Sequence, residues 1–269
     1  MSTPNNRQHH VDEKFDLDVS NAEYNNRLFV RLVAKSKHFE KVDFKYTIFD
    51  TCYLRNCVFD SCDFTGCRFT GTNLYGASFN GCKFDYAVFE RTLIDSDILE
   101  NGCPGYENLK LRFARTLRMN FQALGDSKSA NKAIEVELDA TEAHLLKAWK
   151  SKESYYRKKY RRLKRVQVFA EWLIFKAMDF IWGNGESSLK LLRSIAIILA
   201  IMAVIDVFSF SDPMKLSSYW NSFWAMPSVF LGSSSPQNYF KSYLALVVFI
   251  RLVAIGFFMS IIIKRFNRR

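Results

Sequence analysis

Residues 39–99 read FEKVDFKYTIFDTCYLRNCVFDSCDFTGCRFTGTNLYGASFNGCKFDYAVFERTLIDSDIL. Every fifth position is large and apolar: Phe39, Phe44, Phe49, Leu54, Phe59, Phe64, Phe69, Leu74, Phe79, Phe84, Phe89, Ile94 and Leu99. Two residues earlier, between Val42 and Thr92, each unit carries a small residue: Val, Thr, Cys or Ala. Neither the 3.6 period of a helix nor the 2.0 period of a strand makes this pattern. Each unit therefore offers one large and one small inward side chain, and its other three positions are mostly polar or glycine. A chain with this period stacks coils at roughly the 4.8 Å strand spacing, and each coil buries its inward face on its neighbours.

The pattern resembles the pentapeptide-repeat family. The resemblance implies a right-handed, four-sided β-helix with one unit per side and twenty residues per coil. Five of the six cysteines then occupy the small inward position, where a free thiol packs as a small hydrophobe. Cys103 falls in the turn that ends the solenoid. Different sides of a coil do not converge tetrahedrally, so no metal site is expected. Some pentapeptide-repeat proteins mimic DNA, but with longer and more acidic solenoids. Residues 1–100 carry 12 Lys+Arg and 15 Asp+Glu, and a nucleic-acid role is not expected.

Upstream, Tyr24, Leu28, Phe29, Leu32 and Val33 fall at helical spacing, with Ser20 or Asn21 as the cap, and predict a helix closing the first coil. Downstream, Leu109, Phe113, Leu117 and Phe121 step by four, and Ile134 and Leu138 do the same. Leu124-Gly125-Asp126-Ser127 ends one helix and caps the next, predicting a helical hairpin. His144 is expected to be solvated.

The formal charge of +11 is concentrated beyond this point. Residues 150–165, KSKESYYRKKYRRLKR, hold nine Lys/Arg and one Glu. They lead into an amphipathic run with Trp172 and Trp182 that reads as an interfacial helix. Arg157, Lys158, Lys159, Arg161, Arg162, Lys164 and Arg165 are the candidate contacts to anionic lipid, because they directly precede hydrophobic segments.

Those segments are Leu189–Phe210 and Tyr239–Ile263, each long enough for about 30 Å of hydrocarbon. The basic clusters on their flanks place both termini in the cytosol by the positive-inside rule. No secretory signal precedes them, so the location expected is the inner cell membrane, as a multi-pass protein. Between them, Ser211–Asn238 contains an aromatic amphipathic stretch and then Gly232 and three serines.

Two spans enclosing such a segment resemble the re-entrant pore loop of two-span tetrameric channels of the potassium-channel superfamily. The order of parts also resembles a bacterial and archaeal group that joins pentapeptide repeats to a two-span channel domain, with Trp182-Gly183-Asn184-Gly185-Glu186 matching a run before its first span. The resemblance implies a homotetramer, permeating ions and a cytoplasmic regulatory or assembly domain, with room for a cytosolic protein partner or ligand. The place of the filter reads Ser228-Val229-Phe230-Leu231-Gly232-Ser233-Ser234, without Gly-Tyr-Gly, so potassium selectivity does not carry over. Pro227 is expected to break the pore helix one turn early.

Asp206 and Arg251 are the ionisable residues inside the spans. Each lies thirteen residues from its inner anchor, Arg193 or Lys264, about 20 Å up the helix at 1.5 Å per residue. Equal depth predicts a salt bridge; alternatively Arg251 faces the pore and favours anions. Gly256 is a candidate gate bend or a packing glycine.

The expected division is a tail and capping helix over 1–36, the β-helix over 37–103, a cytoplasmic hairpin over 104–156, a basic interfacial helix over 157–188 and a two-span channel domain over 189–269. No Gly-rich phosphate loop, metal-spaced His/Cys set or nucleophile–base pair appears, so neither an enzyme nor a cofactor is expected. The leading reading is a channel that conducts anions or is weakly selective. Its rival is a membrane-anchored binding scaffold, and a membrane-permeabilising defence effector is a variant of the channel.

Overall fold

The computed structural model describes residues 7–234 and 239–266. The chain divides into two compact units, meeting near Phe169 and Ala170.

The first unit is built on a parallel β-solenoid of about four turns. One sheet stacks β1 (Gln8–Val11), β3 (Arg27–Val30), β5 (Ile48–Asp50), β7 (Arg68–Thr70) and β9 (Val88–Glu90). A second stacks β2 (Val19–Ser20), β4 (His38–Glu40), β6 (Val58–Asp60) and β8 (Ser78–Asn80). Single bridges form the two remaining sides, one through Lys14, Val33, Tyr53, Asn73 and Leu93, the other through Glu23, Asp43, Asp63 and Lys83.

Corners make the coil square. From Arg31 to Arg91 every fifth residue is left-handed, with φ between 49° and 72°. Most side chains resist that conformation and glycine does not. Glycines hold four successive corners, at 66, 71, 76 and 81. A Cβ at Gly66 would lie 2.6 Å from Cδ1 of Tyr46, so any larger residue there would also have to displace the Tyr46 ring.

Inside, like stacks on like. Phe29, Phe49, Phe69 and Phe89 form a column with centroids 5.6, 5.0 and 5.0 Å apart. Phe39, Phe59 and Phe79 form a second, and Tyr24, Phe44, Phe64 and Phe84 a third. The fourth column is aliphatic: Ala34, Leu54, Leu74 and Ile94, all buried. Burying each Phe stabilises the fold by roughly 1.5–3 kcal/mol.

The small position is chemically selective as well. Thr47, Thr72 and Thr92 donate their hydroxyls to carbonyls 23 residues earlier, at 2.6, 3.1 and 3.0 Å. Cys52, Cys57, Cys62, Cys67 and Cys82 donate their thiols to carbonyls at the same offset of 23, at 2.8–3.4 Å. Cysteine here is thus a donor as well as a filler. Burial pushes the Cys52 thiol up to about 11, far from a reactive thiolate.

The solenoid begins earlier than the regular series indicates. Residues 27–30 are strand β3, so the expected capping helix through Tyr24, Leu28, Phe29, Leu32 and Val33 does not form. Leu28 and Val33, read as part of its apolar face, lie towards the outside of the coil, while Phe29 and Leu32 are buried. The first coil is one residue short. Lys14 pairs with Val33 and His10 with Phe29, an offset of 19, whereas Val19 pairs with Phe39 at 20. Phe15 supplies the end plug instead, with its ring 5.6–6.2 Å from Tyr24, Phe29 and Phe39.

Three helices close the other end: α1 (Ile98–Asn101), α2 (Glu107–Ala123) and α3 (Ser127–Lys150). Asp126 caps α3 by accepting from the Ser129 amide at 3.1 Å. The hairpin is more than a linker, because α2 stands in for the missing next coil. Phe113 sits 5.7 Å from Phe84 and 6.0 Å from Phe89, continuing their columns. The Asn120 amide group exchanges two hydrogen bonds with the Thr92 backbone, accepting from its N–H at 2.7 Å and donating to its carbonyl at 2.8 Å. Thr116 Oγ1 accepts from the Phe89 amide at 3.1 Å. A bare sheet edge is a template for aggregation, and these side chains occupy it.

His144 is not solvated. It lies half-buried beside α4 (Ser154–Lys159), with Nε2 3.1 Å from the Tyr160 hydroxyl and Nδ1 3.5 Å from that of Tyr156. Burial lowers its pKa, with a smaller contribution from Lys159.

Candidate functional site

The second unit holds Asp206, Arg251 and the segment between the two apolar helices. The chain enters it along α5 (Leu163–Trp182) and leaves α5 through a short 3-10 turn, Gly183–Gly185. The turn has three consecutive left-handed residues, Gly183, Asn184 and Gly185. Then follow α6 (Ser188–Phe210), α7 (Leu216–Leu231) and α8 (Lys241–Phe266). Stretches Ser188–Phe210 and Lys241–Lys264 are long and apolar enough to cross a membrane. Only 28% and 17% of their most apolar windows are buried, so most of that surface faces outward, unlike core helices of a water-soluble domain.

Met202 and Ala203 of α6, Met226, Val229 and Phe230 of α7, and Val247 and Ala254 of α8 share one apolar core. The start of α6 and the end of α8 are tied separately. Trp182 stacks on Phe257 at 4.2 Å, Glu186 pairs with Lys264, and Asp179 pairs with Lys190 at 2.7 Å.

Asp206 and Arg251 do not form the expected bridge; among the described residues no ion pair joins them. Asp206 accepts from the Ser222 hydroxyl of α7 at 2.6 Å and from the Tyr239 hydroxyl. Arg251 turns to the other end of α7, with Nη1 3.5 Å from the Phe230 carbonyl. That end carries the negative pole of the helix, which a cation complements. A Cβ at Gly232 would lie 2.1 Å from Arg251 Nη1, so the glycine makes room for the guanidinium. Depth arithmetic places two residues at one level. It does not reveal that α7 stands ready to satisfy each of them.

The expected pore-loop residues also change character. α7 runs through Pro227 to Leu231 rather than ending early. Ser228, Val229, Phe230 and Leu231 form its last turn, with Val229 and Phe230 buried. Only Gly232, in the left-handed conformation, and Ser233 and Ser234 leave the helix. The Ser228 carbonyl accepts from the amides of Ser233 at 2.9 Å and Ser234 at 3.2 Å, which closes the helix end. Backbone folded back in this way does not present a ladder of free carbonyls to an ion. Residues 235–238, including Gln237, lie outside the described residues. α8 is continuous through Gly256, beside which there is open space.

The basic run is not one helix. α4 ends at Lys159, and the chain breaks at Arg162, φ 37°, before α5 begins. Arg157 donates to the Ala148 carbonyl at 2.8 Å and Arg165 to the Trp149 carbonyl at 2.6 Å. Lys159 lies over the rings of Tyr155 and Tyr160. Exposed side chains remain at Lys158, Arg161, Arg162 and Lys164.

Comparison with known proteins bears on the solenoid. The profile of pentapeptide repeats matches residues 38–74 with eight copies. Among solved structures, QnrB1, a plasmid-mediated fluoroquinolone resistance protein, is 20% identical. The match covers 32% of this chain and 62% of that one, with a TM-score of 0.20. A pentapeptide repeat protein from the Arabidopsis thaliana thylakoid lumen is 15% identical over 37% of this chain and 76% of its own, with a TM-score of 0.18. No curated protein matches the chain. Residues 38–74 are pentapeptide repeats and lie within the solenoid.

Proposed function

We propose that the chain is a multi-pass membrane protein of the inner cell membrane, and that α6, α7 and α8 form the subunit of a homo-oligomeric ion channel, a tetramer by the resemblance above. The solenoid unit is its cytoplasmic regulatory or assembly domain. The observation that carries this reading is α7: a helix between two long apolar helices, sharing one core with both. A simple membrane anchor needs no such third helix. Arg251 at the C-terminal end of α7 supports the ion preference. It offsets the helix's negative pole at the place where a cation channel would use it, and favours anions or weak selectivity.

The test is the reversal potential of purified protein in planar bilayers under asymmetric potassium chloride. A potential displaced towards chloride, or near zero, is expected. One near the potassium equilibrium value overturns the ion preference. Absence of current in inserted, oligomeric protein overturns conduction and leaves the second reading, a membrane-anchored scaffold, which the pentapeptide repeats support.

A further inference from the structure

Between α5, α6 and α8 lies a cavity of about 290 Å³. Its walls include Ile181, Ser194, Ile198, Phe249, Val253 and Phe257. The volume falls just below the ~300–1,000 Å³ common for small-ligand sites. The one hydroxyl in this wall, that of Ser194, already has acceptors for its single proton in the Ile181 and Lys190 carbonyls, at 2.8 and 3.0 Å. Such a space gives water too few partners and suits hydrocarbon.

Its rim is cationic. Arg193 precedes Ser194 in α6 and lies over the ring of Phe180, itself a wall residue, 4.4 Å from the centroid. One of its N–H groups donates to the Phe180 carbonyl. Lys190 is neutralised by Asp179, whereas Arg193 has no carboxylate partner among the described residues. A guanidinium carries five donors in a planar fork suited to phosphate, and most of them stay unused here.

From this juxtaposition we infer that the cavity is a lipid site: it takes one acyl chain of an anionic glycerophospholipid, and Arg193 holds the phosphate. The inference rests on the membrane reading above and adds a defined site, separate from the exposed basic run at Lys158–Lys164. A zwitterionic lipid carries the same phosphodiester but offsets it with its own ammonium group, so the uncompensated charge of an anionic lipid on Arg193 corresponds to about a tenfold preference over a zwitterionic lipid with the same chains.

The experiment is native mass spectrometry of the full chain in detergent, titrated with phosphatidylglycerol or phosphatidylcholine, beside flotation of the same proteins with vesicles after alkaline extraction. Wild type is expected to retain phosphatidylglycerol about tenfold better. Arg193→Gln should bring the two lipids to parity. Ala254→Phe, which fills the cavity, should weaken retention of both. Neutralising Lys158, Arg161 and Arg162 together should leave the retained lipid in place. An undiminished preference in both Arg193→Gln and Ala254→Phe overturns the site while flotation upholds the membrane reading. Loss of flotation in wild type overturns both. Lipid-free wild type whose oligomer mass falls on Ala254→Phe assigns the cavity to a second copy of the chain and likewise overturns the proposal.

Discussion

The two units solve the same problem in opposite ways. In the solenoid a polar backbone forms every wall of the core, and one period serves it: Phe on Phe, corner on corner, hydroxyl or thiol to the carbonyl 23 residues before. The helical unit satisfies its backbone within each helix. Its few polar side chains are therefore singular, and each needs its own partner: Asp206 with Ser222 and Tyr239, Arg251 with the end of α7. Stability in the first unit is distributed and repetitive; in the second, specificity hangs on individual contacts.

Substitutions can break that contrast, and the largest effect belongs in the middle of the solenoid. Phe64 touches rings above, below and beside it. Phe64→Ala should cost about 3–5 kcal/mol, much of a typical domain's ~5–15 kcal/mol. Phe64→Asp should abolish the β signal in circular dichroism while leaving helical signal from the second unit. Retention of a cooperative β transition in Phe64→Asp would show that coils fold without a continuous core.

At the end of the solenoid, singular contacts reappear. Asn120→Ala strips two hydrogen bonds from Thr92 and should cost about 1–3 kcal/mol in chemical denaturation. An unchanged midpoint would mean that α2 closes the last coil by apolar contact alone.

A double-mutant cycle tests the other unit. Asp206→Asn with Ser222→Ala should show coupling of about 0.5–3 kcal/mol, whereas Asp206→Asn with Arg251→Gln should be additive within about 0.5 kcal/mol. The charge swap, Asp206→Arg with Arg251→Asp, should not rescue. Rescue would restore the salt bridge that depth alone suggests.

Smaller still is the thiol ladder. Cys57→Ala should cost about 0.5–1.5 kcal/mol, and Cys57→Ser should recover most of it, because serine keeps a donor to the Ala34 carbonyl. If alanine and serine behave alike in thermal melts, size is the whole requirement at that position.

The smallest effect is a pH dependence. Burial holds the folded His144 below the ordinary value of 6.5, so the unfolded chain binds the extra proton first. This contribution to stability is present above 6.5 and is lost as pH falls through the folded value. His144→Gln should flatten the dependence in that window, read as hydrogen exchange of α4. An identical profile in the variant would place the titration elsewhere.

The same contrast explains what can be read from the chain alone. A period repeated thirteen times announces itself, and the solenoid was legible wherever both inward positions kept their sizes. Legibility failed at Leu32 and Ala34, where large and small are exchanged at nearly constant volume and both stay buried. It failed again in the first coil, where one missing residue shifts the frame. A usable signal did remain: Asn21 and Asn26 stand at corner spacing, and asparagine tolerates the left-handed region. In the helical unit, length and apolarity marked α6 and α8. The partners of Asp206 and Arg251 depend on azimuth and on where α7 lies, and no linear spacing encodes either.

Because α2 is seated on Phe84, Phe89 and Thr92, the solenoid behaves as a ruler graduated in twenties. Adding or removing one whole coil returns the same sides to the same places under the lid. An insertion of five or ten residues would rotate the terminal face by a quarter or half revolution and present α2 with the wrong column. The length of this stalk can therefore be changed only in discrete steps of about 4.8 Å, which makes coil number a clean engineering variable for setting how far the tip of the solenoid stands from its lid.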